Sequence, residues 1–471
     1  MFVLYVFICS IIFCLFDFLF LKQFQLEGYK IGSYVKKIFE FNFFKNDKND
    51  LKYTNRIKRL IFFDFLIKFC VFFVIFLLIF DFIAIFLTVL GLFLLGPLFV
   101  CLSFLIAFPF EEMIKNIYIK KAKKRLQQVG CKVIAITGSF GKTSVKNILY
   151  ELLKEQFQVC ATPKSFNTPM GICKTILGNL KDFDEYLIVE YGARHKGDIE
   201  FLAKTFGVDF ALITPIGNCH LETFGSLENI VNTKFELCQE AKDVVVFNGK
   251  SRQTKKLYER HKLKKFLVCE ENSFAYAKDI NISERGANFV LYIDGNQVQC
   301  ETNLLGMVNI DNVVQASAMA YILGESLFDI KNAIKKLKPT PHRLELIKGE
   351  NVKIIDDSFN SNIEGFMQAL EILTKFDGQK VVVSPGMVEL GKEQFEVNFR
   401  AGVMIGKVAD VFILMNESNK KAMFEGALKG GMDKSKIYFA NSRNEQKILL
   451  KNLLQKGAVV LFENDLPDNF K

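Results

Sequence analysis

At 471 residues the chain is too long for one small domain, and about three units is the expectation from length. Half of it is hydrophobic, with 50 phenylalanines and no tryptophan, and a mean hydropathy of +0.19 is high for a purely soluble enzyme. The formal charge of +10 sits mostly in front, where residues 1–128 carry 17 Lys and Arg against 9 Asp and Glu. That excess flanks apolar runs and forms no aromatic-interleaved basic face, which argues against nucleic acid as a partner. The 11 cysteines show no CxxC pair or metal spacing, the pattern of reduced, buried thiols.

In chain order, residues 2–21 are apolar apart from Asp17, and a second apolar block from Leu60 to Phe110 is broken only by Asp64, Lys68 and Asp81. A helix needs about 20 residues to cross the hydrocarbon, so the second block has room for two crossings. The expected spans are about 2–21, 60–80 and 82–109, with a turn near Asp81 and a kink at Gly96-Pro97. The first lacks the basic start and small-residue cleavage site of a signal peptide. Lys22 to Arg59 and Lys115 to Arg125 are both basic. Three spans put them on one side, which the positive-inside rule makes the cytoplasm. The expected localisation is therefore the inner (cytoplasmic) membrane, multi-pass, with membrane lipid as a partner. The run 111–128 has helical apolar spacing at Ile114, Ile117, Tyr118 and Ala122. It fits either a helix along anionic headgroups or an ordinary connecting helix.

From residue 129 the pattern changes. VIAIT, a helix over 143–154, YLIVE, FALIT, a helix over 228–241 and VVVF alternate, predicting a parallel α/β sheet with ligands at the C-terminal strand ends. Between the first strand and helix lies Thr137-Gly138-Ser139-Phe140-Gly141-Lys142-Thr143-Ser144. Glycines let backbone approach a polyphosphate, and the helix start offers unpaired N–H groups. Lys142 would neutralise the outer phosphates and the Thr143 hydroxyl would face a magnesium ion. Gly138 and Gly141 are three apart, closer than in the strict P-loop. Glu190 ends YLIVE, where a carboxylate can hold magnesium or its waters. His220 follows a strand and turn, and Lys234 lies in a helical run; alone, the first is an ordinary loop histidine and the second a surface lysine. After Asn351 a second α/β pattern follows, with VKIID, a helix over 363–375, KVVVSP, a helix over 393–407, DVFILM, KIYFA and AVVLFEN. Lys338 to Pro341 is the expected hinge.

The segments TGSFGKTS, TPKSFNTPMG, VEYGARHKGDI, ITPIGNCHLETFGSLENIVNTKFEL, GMVNIDNVVQASAMA, PHRLELI, DDSFNSNIEGFMQAL and SPGMVELG occur in an order that resembles the Mur ligases, ATP-dependent enzymes that build peptidoglycan precursor peptides. DDSFNSN and SPGMVELG are most similar to the branch that adds D-Ala-D-Ala to UDP-MurNAc-tripeptide. The apolar runs place a membrane region over 1–128, and the resemblance implies an ATP-binding domain over 129–343 and a smaller Rossmann-like C-terminal domain over 344–471. It implies ATP and Mg2+ as cofactors, and membrane-bound peptidoglycan-synthesis enzymes as neighbours.

Carried over by residue, it assigns Gly138, Ser139, Gly141, Lys142, Thr143 and Ser144 to the phosphates, and Thr143, Glu190, His220 and Lys234 to metal, with Lys234 carbamylated. Asn309 and Asn312 fall on the adenine-side motif, Arg343 on the phosphates and Asp357 on the ribose. Asn167, Thr168, Asn360 and Asn362 face the substrate, while Lys142, Lys234, His220 and Arg343 form the catalytic set. Three departures stand out: Val308 replaces a histidine, Phe359 a tyrosine and Ile363 a proline. Nothing in 1–128 looks like the domain with which relatives grip UDP. The alternatives are another membrane-associated ligase of this fold, acting on a lipid-linked precursor or a γ-linked peptide polymer, and a non-catalytic wall-synthesis scaffold.

Overall fold

The computed structural model describes residues 7, 10–11, 17–39, 51–78 and 95–465, save 220, 360, 361, 389 and 416. It divides into a unit of residues 1–118 with 467–471 and a unit of residues 119–466.

The described elements of the first unit are helices: Phe18–Leu26, Ile31–Phe39, Asn55–Leu78 and the start of Gly96–Val129. Asn55–Leu78 and Gly96–Val129 are long and apolar enough to cross a membrane. The charges that interrupt the apolar runs find one another. Lys68 Nζ bonds Asp64 Oδ2 at 2.5 Å and also pairs with Asp17, while Ser103 Oγ donates to Asp64 Oδ1 at 3.2 Å. All four side chains are buried. Asp64 and Lys68 stand four apart, one above the other on a helix face. Gly96-Pro97, the expected kink, opens the described helix after a turn at Leu95, and the part of the span before it lies outside the described residues. Proline suits a first turn because the N–H it lacks has no helical acceptor there. The run 111–128 is helical, as its spacing predicts, and continues the helix Gly96–Val129. Its buried positions are Ala122 and Leu126, whereas Ile117 and Tyr118 are exposed. Asp81, most of 2–21 and the start of the 82–109 span lie outside the described residues.

The second unit is α/β with two sheets. The strands are β1 (Lys132–Thr137), β2 (Val159–Ala161), β3 (Tyr186–Glu190), β4 (Phe210–Ile213), β5 (Val244–Asn248), β6 (Lys265–Val268), β7 (Ala275–Ser283), β8 (Gly286–Ile293) and β9 (Asn296–Thr302), then β10 (Glu345–Lys348), β11 (Val352–Asp357), β12 (Lys380–Ser384), β13 (Val411–Met415), β14 (Ile437–Ala440) and β15 (Ala458–Glu463). The first sheet has the order β2-β3-β1-β4-β5-β6-β7-β8-β9, and the second β10-β11-β15-β12-β13-β14. Neighbours from β2 through β6 pair in parallel, as the alternation predicts. The parallel expectation is incomplete, because β7, β8 and β9 add an antiparallel meander. Its last turn is Asp294-Gly295, both at positive φ, the conformation that a two-residue hairpin with right-handed strand twist requires.

Alternate residues of the parallel strands enter two separate cores. Ile134, Ile136, Ile188 and Leu212 join one, while Val133, Ala135, Leu187 and Ile213 join the other. Burial on both faces explains why these strands read as unbroken apolar runs. Helices then cover the faces. Lys142–Leu153 buries Val145, Ile148, Leu149 and Leu152 along one stripe, the spacing of an amphipathic helix.

Replacing Lys68 with methionine leaves Asp17 and Asp64 buried without their cation. Breaking a buried pair in this way costs about 3–5 kcal/mol. Lys68→Met should therefore lower the thermal midpoint of the detergent-solubilised protein markedly, and adding Asp17→Asn and Asp64→Asn should restore most of it. Thiol-dye unfolding curves measure both; an unchanged midpoint for Lys68→Met contradicts the assignment.

Candidate active site

Register builds the site. Ile136 of β1 lies opposite Glu190 of β3, and Thr137 opposite Ile213 of β4. Strand β1 thus delivers the glycine turn between the Glu190 carboxylate and the turn that follows β4. Ser139 N–H donates to Pro215 O at 2.9 Å, and Ser139 Oγ donates to Gly217 O at 3.0 Å. At Gly138 a side chain would collide with Thr214, and at Gly141 a Cβ would sit 2.7 Å from Asn312 Oδ1. Gly141 adopts φ 80° immediately before the helix Lys142–Leu153, a backbone that glycine takes without strain.

The Thr143 hydroxyl donates to Glu190 Oε2 at 3.1 Å and lies 3.3 Å from Ser165 Oγ. Lys146, which the motifs did not single out, places Nζ 2.9 Å from Glu190 Oε1 and also donates to Lys164 O. That approach lacks hydrogen-bond geometry, so Glu190 Oε1 is a buried oxygen with no donor. A buried carboxylate oxygen of this kind, with a hydroxyl oxygen beside it, fits a hard divalent cation. Lys146 sits one helical turn after Lys142, and it is the pairing of β1 with β3 that brings it to Glu190.

Lys142 Nζ donates to Gly138 O at 2.8 Å and Ser139 O at 3.0 Å, and burial lowers its pKa. Lys234 is buried in the helix Leu227–Glu240. Burial first, and the nearby Lys142 charge second, bring its pKa down to about 7. An amine neutral near pH 7 is the form that reacts with carbon dioxide, which is the chemistry carbamylation needs. Arg343 follows the segment Lys338–Pro341. Burial lowers its pKa, against the opposing pull of Asp357, Glu190 and Glu463. Its guanidinium stacks 4.3 Å from the Phe359 ring centre, so the phenylalanine that replaces a tyrosine still has a platform to offer. Asp357, ending β11, is pushed up to about 6 by burial, moderated by Arg343, and accepts from Leu344 N–H at 3.2 Å.

Lys142, Thr143, Glu190, Lys234 and Arg343 are therefore brought into one electrostatic neighbourhood. Asn312 abuts Gly141, and its amide lies 3.5 Å from Asn309 Oδ1, while the Asn309 amide donates to Leu305 O at 2.9 Å. Ser144 is buried behind them. Three further residues have plain structural partners. Asn167 O accepts from Gly192 N–H at 3.0 Å, Thr168 Oγ1 caps the helix Pro169–Gly178 at Gly171 N, and Asn362 Oδ1 caps Ile363–Thr374 at Gly365 N. His220 and Asn360 lie outside the described residues.

Residues 136–320 match the Mur ligase middle domain. A Bacillus subtilis UDP-N-acetylmuramoyl-tripeptide–D-alanyl-D-alanine ligase is 30% identical over 351 residues, 73% of this chain and 75% of that one. The chain belongs to the Mur ligase family. The Escherichia coli ligase of the same name is 30% identical over 282 residues, covering 59% of this Mur ligase and 62% of its relative. Among solved structures, MurF from Thermotoga maritima in complex with ADP aligns with TM-score 0.67 at 27% identity, over 74% of this chain and 80% of that one. A MurF structure from Acinetobacter baumannii gives 0.68 at 25% identity, over 74% and 77%.

The depressed Lys234 pKa carries a stability consequence. The unfolded chain holds this proton up to about pH 10.4, the folded one only below about 7. Folding therefore releases a proton in that window, and stability rises with pH across it. Lys234→Met removes the penalty, so its melting temperature should exceed that of the wild type most at pH 6.5 and least at pH 10. A gain independent of pH would place Lys234 outside this environment.

Proposed function

We propose that this Mur ligase joins D-alanyl-D-alanine to UDP-MurNAc-tripeptide, converting ATP to ADP and phosphate. The observation that carries the reading is the convergence of Lys142 and Arg343 on Glu190, which also holds the Thr143 hydroxyl, with Lys234 buried beside Lys142. A scaffold has no use for buried cations that repel one another. Relatives named for this reaction, and a neighbour of this fold holding ADP, support the same conclusion.

The chemistry follows from the substrates. A tripeptide carboxylate is anionic and resists attack by an amine. Its oxygen bonds to the γ-phosphorus of ATP, the bond to the bridging oxygen breaks, and ADP leaves. The dipeptide amine then attacks the acyl carbon, loses a proton, and phosphate departs as the amide forms. Lys142 and Arg343 hold the phosphates, and the N–H groups after Gly141 meet them at the helix start. Magnesium, held by Glu190 and Thr143 and by Lys234 once carbamylated, would supply further positive charge where the two anions meet. Orientation of bound reactants can contribute on the order of 7–11 kcal/mol. We place the ATP-binding body at 129–343 and the body carrying Asp357 at 344–471.

The proposal extends to the membrane. Asn55–Leu78 and Gly96–Val129 are apolar, and Leu98, Leu102, Leu105 and Ile106 present exposed apolar side chains. These features support an inner-membrane anchor with Lys22–Arg59 and Lys115–Arg125 in the cytoplasm, beside the membrane enzymes that consume the product.

Phosphate release from ATP by detergent-solubilised protein should require UDP-MurNAc-tripeptide and D-Ala-D-Ala together, with the pentapeptide seen by mass spectrometry. Lys142→Ala and Lys234→Ala should each reduce turnover at least a hundredfold. Phosphate release that ignores the dipeptide contradicts the reading.

A further inference from the structure

Beside the edge strand β2 lies a cavity of about 810 Å3, within the ~300–1,000 Å3 of small-molecule sites. Five lysines line it. Lys154 and Lys336 are already paired, with Glu151 at 2.6 Å and Glu155 at 2.9 Å. Lys164, Lys181 and Lys338 are exposed, and among the described residues none has a carboxylate in ion-pair contact. Tyr150 and Phe157 supply aromatic rings to the same lining, and Phe157 is braced edge-on by Tyr186 at 5.3 Å.

The cavity connects to the active site through two elements. The helix Lys142–Leu153 carries Lys142 at one end and lines the cavity with Asn147, Ile148, Tyr150 and Glu151. Eight residues of helix rise about 12 Å. Thr162–Lys164 also line it and lead into Asn167-Thr168, while Lys146 ties the Lys164 carbonyl to the neighbourhood of Glu190. A tripeptide extends roughly 10 Å, and the sugar adds several more. A substrate whose carboxylate meets the Lys142 loop thus carries its diphosphate about as far away as this cavity lies. Among the described residues of 1–118 there are helices and no sheet that could grip a sugar nucleotide.

We propose that this cavity binds the diphosphate of the sugar substrate, with Lys164 and Lys338 on its oxygens and Phe157 and Tyr150 beside the group it carries. The inference rests on the ligase reading above. The same diphosphate chemistry occurs in a uridine nucleotide and in a prenyl-linked carrier, so the test has an arm for each.

UDP and geranyl diphosphate are titrated separately, by calorimetry, into the full-length protein in detergent with the nucleotide loop saturated by ADP. In Lys164→Glu/Lys338→Glu the diphosphate that binds wild type should bind at least tenfold more weakly, with ADP affinity unchanged. UDP as the affected ligand identifies the nucleotide form, and geranyl diphosphate the lipid form. If the double variant loses ADP binding, Lys164→Ala and Lys338→Ala replace it, each expected to weaken binding about threefold. Binding of neither probe to wild type, or binding unaltered by the variants, overturns the proposal. Ligation is read separately. Pentapeptide formation with an unchanged KM in the variant removes the cavity and leaves the ligase, whereas diphosphate binding without ligation does the reverse.

Discussion

The site depends on positive charges collected before the anions they serve arrive. Burial lowers the pKa of Lys142, Lys234 and Arg343 alike, the Arg343 charge lowers Lys142 further, and the Lys142 charge lowers Lys234 further. Such an arrangement is unfavourable in isolation, and the rest of the unit has to hold it in place. The parallel strands do so through cores on both faces, which fix the ends of β1 and β3 relative to each other. Incoming phosphates then meet fixed charges in a site that need not reorganise, which is where electrostatic stabilisation is most effective.

The second sheet reaches this neighbourhood through few but specific contacts. Val308, where the family motif has histidine, donates its N–H to Gln368 Oε1 at 3.0 Å, tying the helix Met307–Ile322 to Ile363–Thr374. Leu305 and Leu344 pack into the core on one face of the second sheet, with Ile355, Val382 and Phe412. Thr340 Oγ1 accepts from the Asn147 amide at 3.2 Å, which fixes the segment just before Arg343 against the helix that starts at Lys142. The loss of the histidine therefore removes a ring but leaves its backbone position in a defined contact.

Much of this was legible in the chain because two-sided burial writes strands as apolar runs and glycine turns leave their spacing in plain view. The strands β1, β3, β4, β5, β11, β12, β13, β14 and β15 all coincide with such runs. The meander did not show, because β7 and β9 alternate weakly and are rich in polar residues; the Asp294-Gly295 hairpin was the available signal. Lys146 was invisible for a different reason. A lysine inside an amphipathic helix reads as surface, and only the pairing of β1 with β3 shows that this one is buried against Glu190. Asp64 and Lys68 posed the opposite problem, since they looked like interruptions of a span until Asp17 and Ser103 supplied their partners.

Thr168 and Asn362 show how one residue can meet two demands. Resemblance places both beside substrate, and the structure gives each the task of capping a helix, Pro169–Gly178 and Ile363–Thr374. The two roles are compatible on physical grounds. A cap fixes where the first turn of a helix begins, and that turn presents unpaired N–H groups with a positive dipole end. An anionic substrate approaching either loop would meet that field whether or not the capping side chain touches it. Removing the cap would shift the helix start and weaken the field together, so the effect on substrate would exceed the loss of one hydrogen bond. Thr168 and Asn362 thus act first on the backbone of the helices they cap.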